Sequence, residues 1–251
     1  MIRAACLSLL VAATPLAAED RRSAYEDMPA ELQRMQDDEF TNPGMLWVGE
    51  GSELWNAPAT TSGKSCAGCH GDAAQSMRGV AARYPAFDEA LSAPTDLAGR
   101  VNLCRQRHQE AEPLDRESRP LLALTAFLTH QSKGMTIAPP DDPRLEPWIE
   151  RGRELFSTRM GQLNLACTMC HDDNAGGHLA SAVIPEGHPT GYPQYRLEWQ
   201  EMGSLHRRFD NCLFGIRAAP FERGSDAYVA LELFLKQRAA GMPVETPAVR
   251  P

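Results

Sequence analysis

The sequence predicts a mostly α protein built as two tandem copies of one small helical unit, with little or no sheet. Three observations carry this. Short stretches recur at a near-constant offset: GSELW at 51–55 and GRELF at 152–156 lie 101 residues apart, as do CAGCH at 66–70 and CTMCH at 167–171. LTAFL at 124–128 and LELFL at 231–235 lie 107 apart, and so do the Gly-Met pairs at 134–135 and 241–242. Ahead of the second motif, Leu145, Trp148, Ile149, Leu155 and Phe156 recur at helical spacing. A self-similarity of this length is a duplicated domain rather than a short solenoid repeat. The growing offset places extra residues in the middle of the second copy.

The elements follow in order. Residues 1–18 read as a signal peptide: Arg3 is the positive start, AACLSLLVAA is an apolar stretch too short to span, and PLAAED offers small residues before a charged beginning. Its removal takes away Cys6 and leaves six cysteines. Residues 19–42 form an N-terminal extension, 43–138 the first unit and 139–251 the second. The Pro-rich connector KGMTIAPPDDPRLEP lies between the units. Each unit is expected to run helix, motif, loop with a lone cysteine, helix. Gly51 and Gly152 sit on the apolar stripes of the opening helices, where a missing side chain lets the closing helix (LLALTAFL or YVALELFL) cross closely. Helices that cross at the two ends of a small unit resemble the class I cytochrome c domain, so the units are expected to be two tandem domains of that type.

Composition sets limits on function. A hydrophobic content of 43% is enough for real cores, and a formal charge of −8 argues against a nucleic-acid partner. Such an acidic surface suits an encounter with a basic protein. After the leader no apolar run reaches the ~18 residues of a membrane span.

The two motifs are C-x-x-C-H, the pattern of covalent haem c attachment. Two thiols must reach the two vinyl groups on one porphyrin edge, and the next histidine must then lie under the iron. Cys66, Cys69 and His70 are the expected set for one haem c, and Cys167, Cys170 and His171 for a second. A pair of redox-active C-x-x-C sites is the competing reading, but no β-α-β pattern surrounds either motif and the histidines would go unused. Zinc held by the four cysteines is another.

A second axial ligand must come from elsewhere. Met135 and Met242 are in register but follow the closing helices, whereas a class I distal methionine precedes its helix. Met202 precedes it without a counterpart in the first half. His130, His178, His188 and His206 show no matched pair and read as loop or surface residues. Cys104 and Cys212 are in register, 108 residues apart, each between its motif and its closing helix. Two readings remain: a thiolate ligand to each iron, or a disulfide between them in an exported protein. Equivalent loops of two domains would have to meet face to face for the disulfide, so ligation is favoured. A thiolate ligand is strongly electron-donating and lowers a haem's potential, which points to sulfur chemistry at one site.

Long stretches carry a further resemblance: MQDDEFTNPGMLWV, KSCAGCHGDAAQSMRGVAARYPAFDEA, VNLCRQRHQ, MGQLNLACTMCHDDNAGGHLA, GHPTGYPQYRLEWQ, RRFDNC and GMPVETPAVRP. Together they span nearly the whole chain after the leader, and they resemble the dihaem form of the SoxA family of bacterial thiosulfate oxidation. The resemblance implies His70 with Cys104 on one iron and His171 with Cys212 on the other. It implies that Cys212 is also the catalytic residue, as a persulfide, and that Arg208 binds substrate. It further implies L-cysteine S-thiosulfotransferase activity in the periplasm, with thiosulfate joined to a cysteine of a SoxYZ-type carrier and electrons passed to a SoxX-type monohaem cytochrome in a heterodimer. The rival reading is a plain dihaem electron carrier without a bond-making role. A dihaem peroxidase would need a distal acid-base group, and none is apparent in the sequence.

Overall fold

The computed structural model describes residues 21–251; the expected leader lies outside them. After a short extension with helix α1 (Ala30–Asp37), the first half opens with α2 (Met45–Asn56). The CAGCH motif is itself a short helix, α3 (Cys66–His70), followed by α4 (Ala73–Ser76). A small antiparallel hairpin, β1 (Ala86–Asp88) with β2 (Ala93–Thr95), leads into α5 (Leu97–His108), and α6 (Arg119–His130) closes the half.

The second half repeats the order. It has α7 (Glu146–Ser157), the motif helix α8 (Cys167–His171), an inserted hairpin β3 (His178–Leu179) with β4 (Ala182–Val183), then β5 (Gln194–Arg196) and β6 (Glu201–Gly203), α9 (Leu205–Gly215) and α10 (Asp226–Arg238). Strand β7 (Ala248–Arg250) runs parallel to β5, completing a three-stranded sheet in the order β6-β5-β7.

The opening and closing helices of each half pack on each other through a glycine. A Cβ on Gly51 would lie 2.1 Å from the Ala123 carbonyl oxygen, and one on Gly152 would lie 2.2 Å from that of Ala230. Only the absence of a side chain allows this approach, and it brings the apolar stripes together over long contact. In the first half Trp55, Val101, Leu121, Leu124 and Leu128 form a buried cluster. In the second, Leu145, Ile149, Phe156, Leu205, Phe209, Leu213 and the apolar face of α10 do the same. Each fully buried leucine or phenylalanine contributes roughly 1.5–3 kcal/mol.

Two expectations need correction. The lone cysteines lie on helices, not in loops: Cys104 is on α5 and Cys212 on α9. The side-chain pattern of α5 is polar enough to hide that helix, whereas Leu205, Phe209 and Leu213 give α9 a helical stripe; Asp96 and Ser204 cap the two N-termini, accepting from the N–H groups of Gly99 and Arg207. His206 is not a surface residue; it is 3% exposed, near the start of α9.

The halves meet along a polar and apolar seam. Met135 and Met242, the paired methionines, lie where the two post-helix segments run together: Ile137 N–H donates to the Met242 carbonyl at 2.8 Å, and Gly134 N–H to that of Val244 at 2.8 Å. Tyr195 of β5 packs edge-on to Trp47 of α2, with ring centroids 5.5 Å apart. The extension holds β7 in place, through Gln36 to Arg250 and through Asn42 Nδ2 to the Pro247 carbonyl at 2.8 Å.

Candidate functional site

Helices α3 and α8 place each motif's two cysteines and its histidine along a single turn. All six described cysteines are free thiols, so none of them forms the disulfide weighed above. In both halves an aromatic ring of the opening helix backs the motif histidine: Trp55 lies 5.7 Å from His70 and Phe156 6.3 Å from His171, between ring centroids.

The histidine of the second motif is fixed in orientation. His171 Nδ1 lies 2.7 Å from the Pro185 carbonyl oxygen. A carbonyl only accepts, so Nδ1 carries the proton and Nε2 keeps its lone pair. That tautomer suits an axial ligand of haem iron. Free paired thiols beside a histidine so oriented fit a covalently bound haem c. His70 is more exposed than His171.

Each lone cysteine faces the motif of its own half. Cys104 lies near Cys66 and Cys69, and Cys212 lies near Cys167 and within hydrogen-bonding reach of His171. The thiols differ in their surroundings. Burial, with some help from Asp88, pushes the Cys104 thiol up against the pull of Arg100 and Arg107. Burial also opposes ionisation of Cys212, but there the hydrogen bond with His171 and the nearby guanidinium groups of Arg208 and Arg196 prevail, and its pKa falls below the ordinary thiol value. Arg208, one helical turn before Cys212, has no carboxylate in ion-pair contact among the described residues; burial opposes its charge, but Cys212 and the Glu198 carboxylate raise its pKa. Arg207, next to it, is turned to Glu201 at 2.9 Å and to the Trp199 ring.

The residue that sequence reasoning missed is Arg196 at the end of β5. Its side chain is 14% exposed, its Nη2 contacts Glu198 Oε1 at 2.9 Å, and its Nε is buried without a partner. The signal was present: the dipeptide Tyr-Pro occurs at 84–85 and again at 192–193, 108 residues on, in the same register as Cys104 and Cys212.

Asp96, His206 and Glu232 also gather at the seam, with three ligand-type atoms within 4.8 Å of one another. The Gly224 N–H donates to His206 Nδ1 at 3.1 Å, so the proton sits on Nε2, which faces Glu232 Oε2 at 3.2 Å. A protonated nitrogen is no metal ligand, and the cluster is an inter-half contact.

The family model described as SoxA/TsdA, cytochrome c domain, matches residues 50–137 and again 151–244. The chain is 40% identical to the L-cysteine S-thiosulfotransferase subunit SoxA of Pseudaminobacter salicylatoxidans over 222 residues, which is 88% of this chain and 78% of that protein. It is 34% identical to the subunit of the same name from Rhodovulum sulfidophilum, over 95% of this chain and 85% of that one. The crystal structure of SoxXA from P. pantotrophus superposes with a TM-score of 0.88 at 33% identity, covering 92% of this chain and 87% of the other. Twice-repeated cytochrome c domains, motif cysteines left free, and SoxA relatives along most of the length agree: the chain belongs to the SoxA family of c-type cytochromes.

Proposed function

We propose that this protein is the dihaem subunit of an L-cysteine S-thiosulfotransferase, joining thiosulfate to a cysteine of a SoxYZ-type carrier protein. The observation that carries the reading is the meeting of His171, Cys212 and an Arg208 without a carboxylate partner in one place. Cys66 and Cys69 would hold one haem c and Cys167 and Cys170 another, with His70 and Cys104 as the residues that would bind the first iron and His171 and Cys212 the second. Bound there, haem c supplies a one-electron acceptor next to a sulfur atom.

The roles of the chain's own residues follow from charge. Thiosulfate is a dianion, and the Arg208 guanidinium can grip two of its oxygens in a fork. Cys212, as a persulfide, offers a sulfur that extends beyond the ligated atom and can hold the incoming sulfur covalently between the two substrates. Over one cycle an S–S bond forms between the carrier thiol's sulfur and the outer sulfur of thiosulfate, the thiol loses its proton, and two electrons leave. A SoxX-type monohaem cytochrome, paired with this chain as a heterodimer, would take those electrons. The seat of the reaction would be the periplasm, reached through the signal peptide. Among the described residues no helix is long and apolar enough to cross a membrane.

Arg208→Ala tests the reading in the assembled complex. Loss of a charge-assisted pair of about 2–3 kcal/mol should reduce kcat/KM for thiosulfate some tens- to hundredfold. The lysine variant should recover only part, because an ammonium cannot make the fork. Mass spectrometry of the Cys212 peptide should show a fraction heavier by one sulfur, about 32 Da. If the wild-type complex formed no carrier adduct from thiosulfate, the plain electron-carrier reading would replace this one.

A further inference from the structure

The two halves share one register from the Tyr-Pro dipeptide to the end of the cysteine helix. At a constant offset of 108 residues, β1 (Ala86–Asp88) corresponds to β5 (Gln194–Arg196), β2 (Ala93–Thr95) to β6 (Glu201–Gly203), and the starts of α5 and α9, Leu97 and Leu205, to each other. Arg100 then matches Arg208, and Cys104 matches Cys212. The same register sets Asp88 opposite Arg196. The sign of the charge is inverted at one equivalent position.

In the first half Asp88 satisfies the arginine. It is 4% exposed, its Oδ2 lies 2.6 Å from Arg100 Nη1, and it takes two bonds from Arg107 at 2.9 and 3.1 Å. Arg100 is also held by Tyr84, whose hydroxyl accepts from its Nε at 3.1 Å. A built-in carboxylate thus occupies the place an anionic ligand would take. In the second half that carboxylate is replaced by a second guanidinium. Arg196 and Arg208 repel each other and both act on Cys212. One exposed carboxylate, Glu198, meets a single edge of Arg196, and its buried Nε–H is left over. Two guanidinium groups, with only one carboxylate contact between them and a buried donor free, offer an anionic guest two arms. The Trp199 face, 5.2 Å from the Arg196 guanidinium, holds it in place.

We propose that Arg196 is the second cationic arm of the dianion subsite at Cys212, and that its exchange for Asp88 is what denies Cys104 such a subsite. This rests on the proposed thiosulfate chemistry at Cys212. With Arg208 it divides the work: Arg208 holds the oxygens beside the sulfur, and Arg196 neutralises the second charge and selects dianions over monoanions.

The test uses the complex with its monohaem partner. Arg196→Gln should raise KM for thiosulfate about ten- to thirtyfold, with kcat reduced far less, since a binding charge shared by ground and transition states moves KM. Calorimetric titration with sulfate, an unreactive dianion, should show its Kd raised by a similar factor, a readout independent of turnover. Arg196→Lys should regain most of the affinity, because here charge matters more than the fork. Unchanged KM and sulfate affinity in Arg196→Gln would overturn the proposal. So would a variant that loses kcat and alters the visible haem spectrum at constant KM, which marks a structural role. If Arg208→Ala is impaired while Arg196→Gln is not, only this proposal fails. If wild type makes no carrier adduct, the underlying reading fails with it.

Discussion

Around Cys104 a buried carboxylate, Asp88, lies between the nearby arginines, whereas around Cys212 the equivalent position carries a second guanidinium, Arg196. Both cysteines sit one turn after an arginine, on helices that start in register behind a small hairpin. The backbone is held in common, so the difference lies in a few side chains: Asp88 against Arg196, and an arginine paired on two sides against one left facing sulfur. The histidines differ as well. His171 is locked by Pro185 from the segment that follows the inserted β3–β4 hairpin, and the first half has no such insertion. A duplicated fold thus keeps its frame while the first copy sets its own carboxylate on the arginine and the second holds the proposed dianion subsite.

The comparison breaks most plainly at the cysteines. Cys212→Met should abolish thiosulfate-dependent modification of the carrier, by about a thousandfold or more. Cys104→Met should perturb the first haem's spectrum yet leave turnover within about a factor of three. Similar losses in both would mean that the first site takes part in the chemistry.

At the helix crossings the halves should behave alike. Gly51→Ala and Gly152→Ala each force a Cβ onto a backbone carbonyl that cannot rotate away. Each should destabilise by about 3 kcal/mol, at the upper end of overpacking, and thermal melts of the holoprotein would read it. A tolerated alanine in one half alone would show that its crossing is looser than its twin.

Asp88→Asn sharpens the charge argument and should have the smallest effect. It leaves Arg100 and Arg107 without a counter-charge, a loss of about 2 kcal/mol. The Arg107 bond, with Leu91 N–H and Arg100, holds the Asp88 carboxyl well below the usual carboxylate range against the opposing effect of burial. A depressed carboxyl contributes stability above its unfolded pKa of about 3.9, lost only as pH falls through the lower folded value. The gap in melting temperature between wild type and variant should persist at pH 5 and close only in strong acid. A gap that closed near neutrality would point to another group.

Much of this was readable from sequence because it rests on local chemistry. C-x-x-C-H is dictated by haem geometry, and Gly51 and Gly152 announced themselves as gaps in apolar stripes. The in-register cysteines also were visible, although the helix of Cys104 was not: α5 carries Arg100, Asn102, Arg105, Gln106 and Arg107 among few apolar residues, so its periodicity is weak. Strands of three residues leave no alternation to detect, which hid the hairpins. The Tyr-Pro dipeptides at 84–85 and 192–193 put Asp88 and Arg196 in one register, but nothing in the sequence says which side chains they touch. Their meaning depends on which arginine each one faces, and that is a property of the folded chain.

The N-cap of α9 leads to a different matter, divisibility. Ser204, which starts that helix, is bound through its hydroxyl and its N–H by Glu117 of the first half, and Arg116 lies against Gly224 at the far side of the same seam. The helix bearing Arg208 and Cys212 is therefore mounted on its neighbour. Tandem domains can often be cut apart and used singly, but here a cut at residue 139 would free the reactive helix from its mount. The half whose arginine is met by its own carboxylate serves as a jig for the half that bears Cys212, and on the proposed reading a minimal catalyst made from this chain would have to keep both.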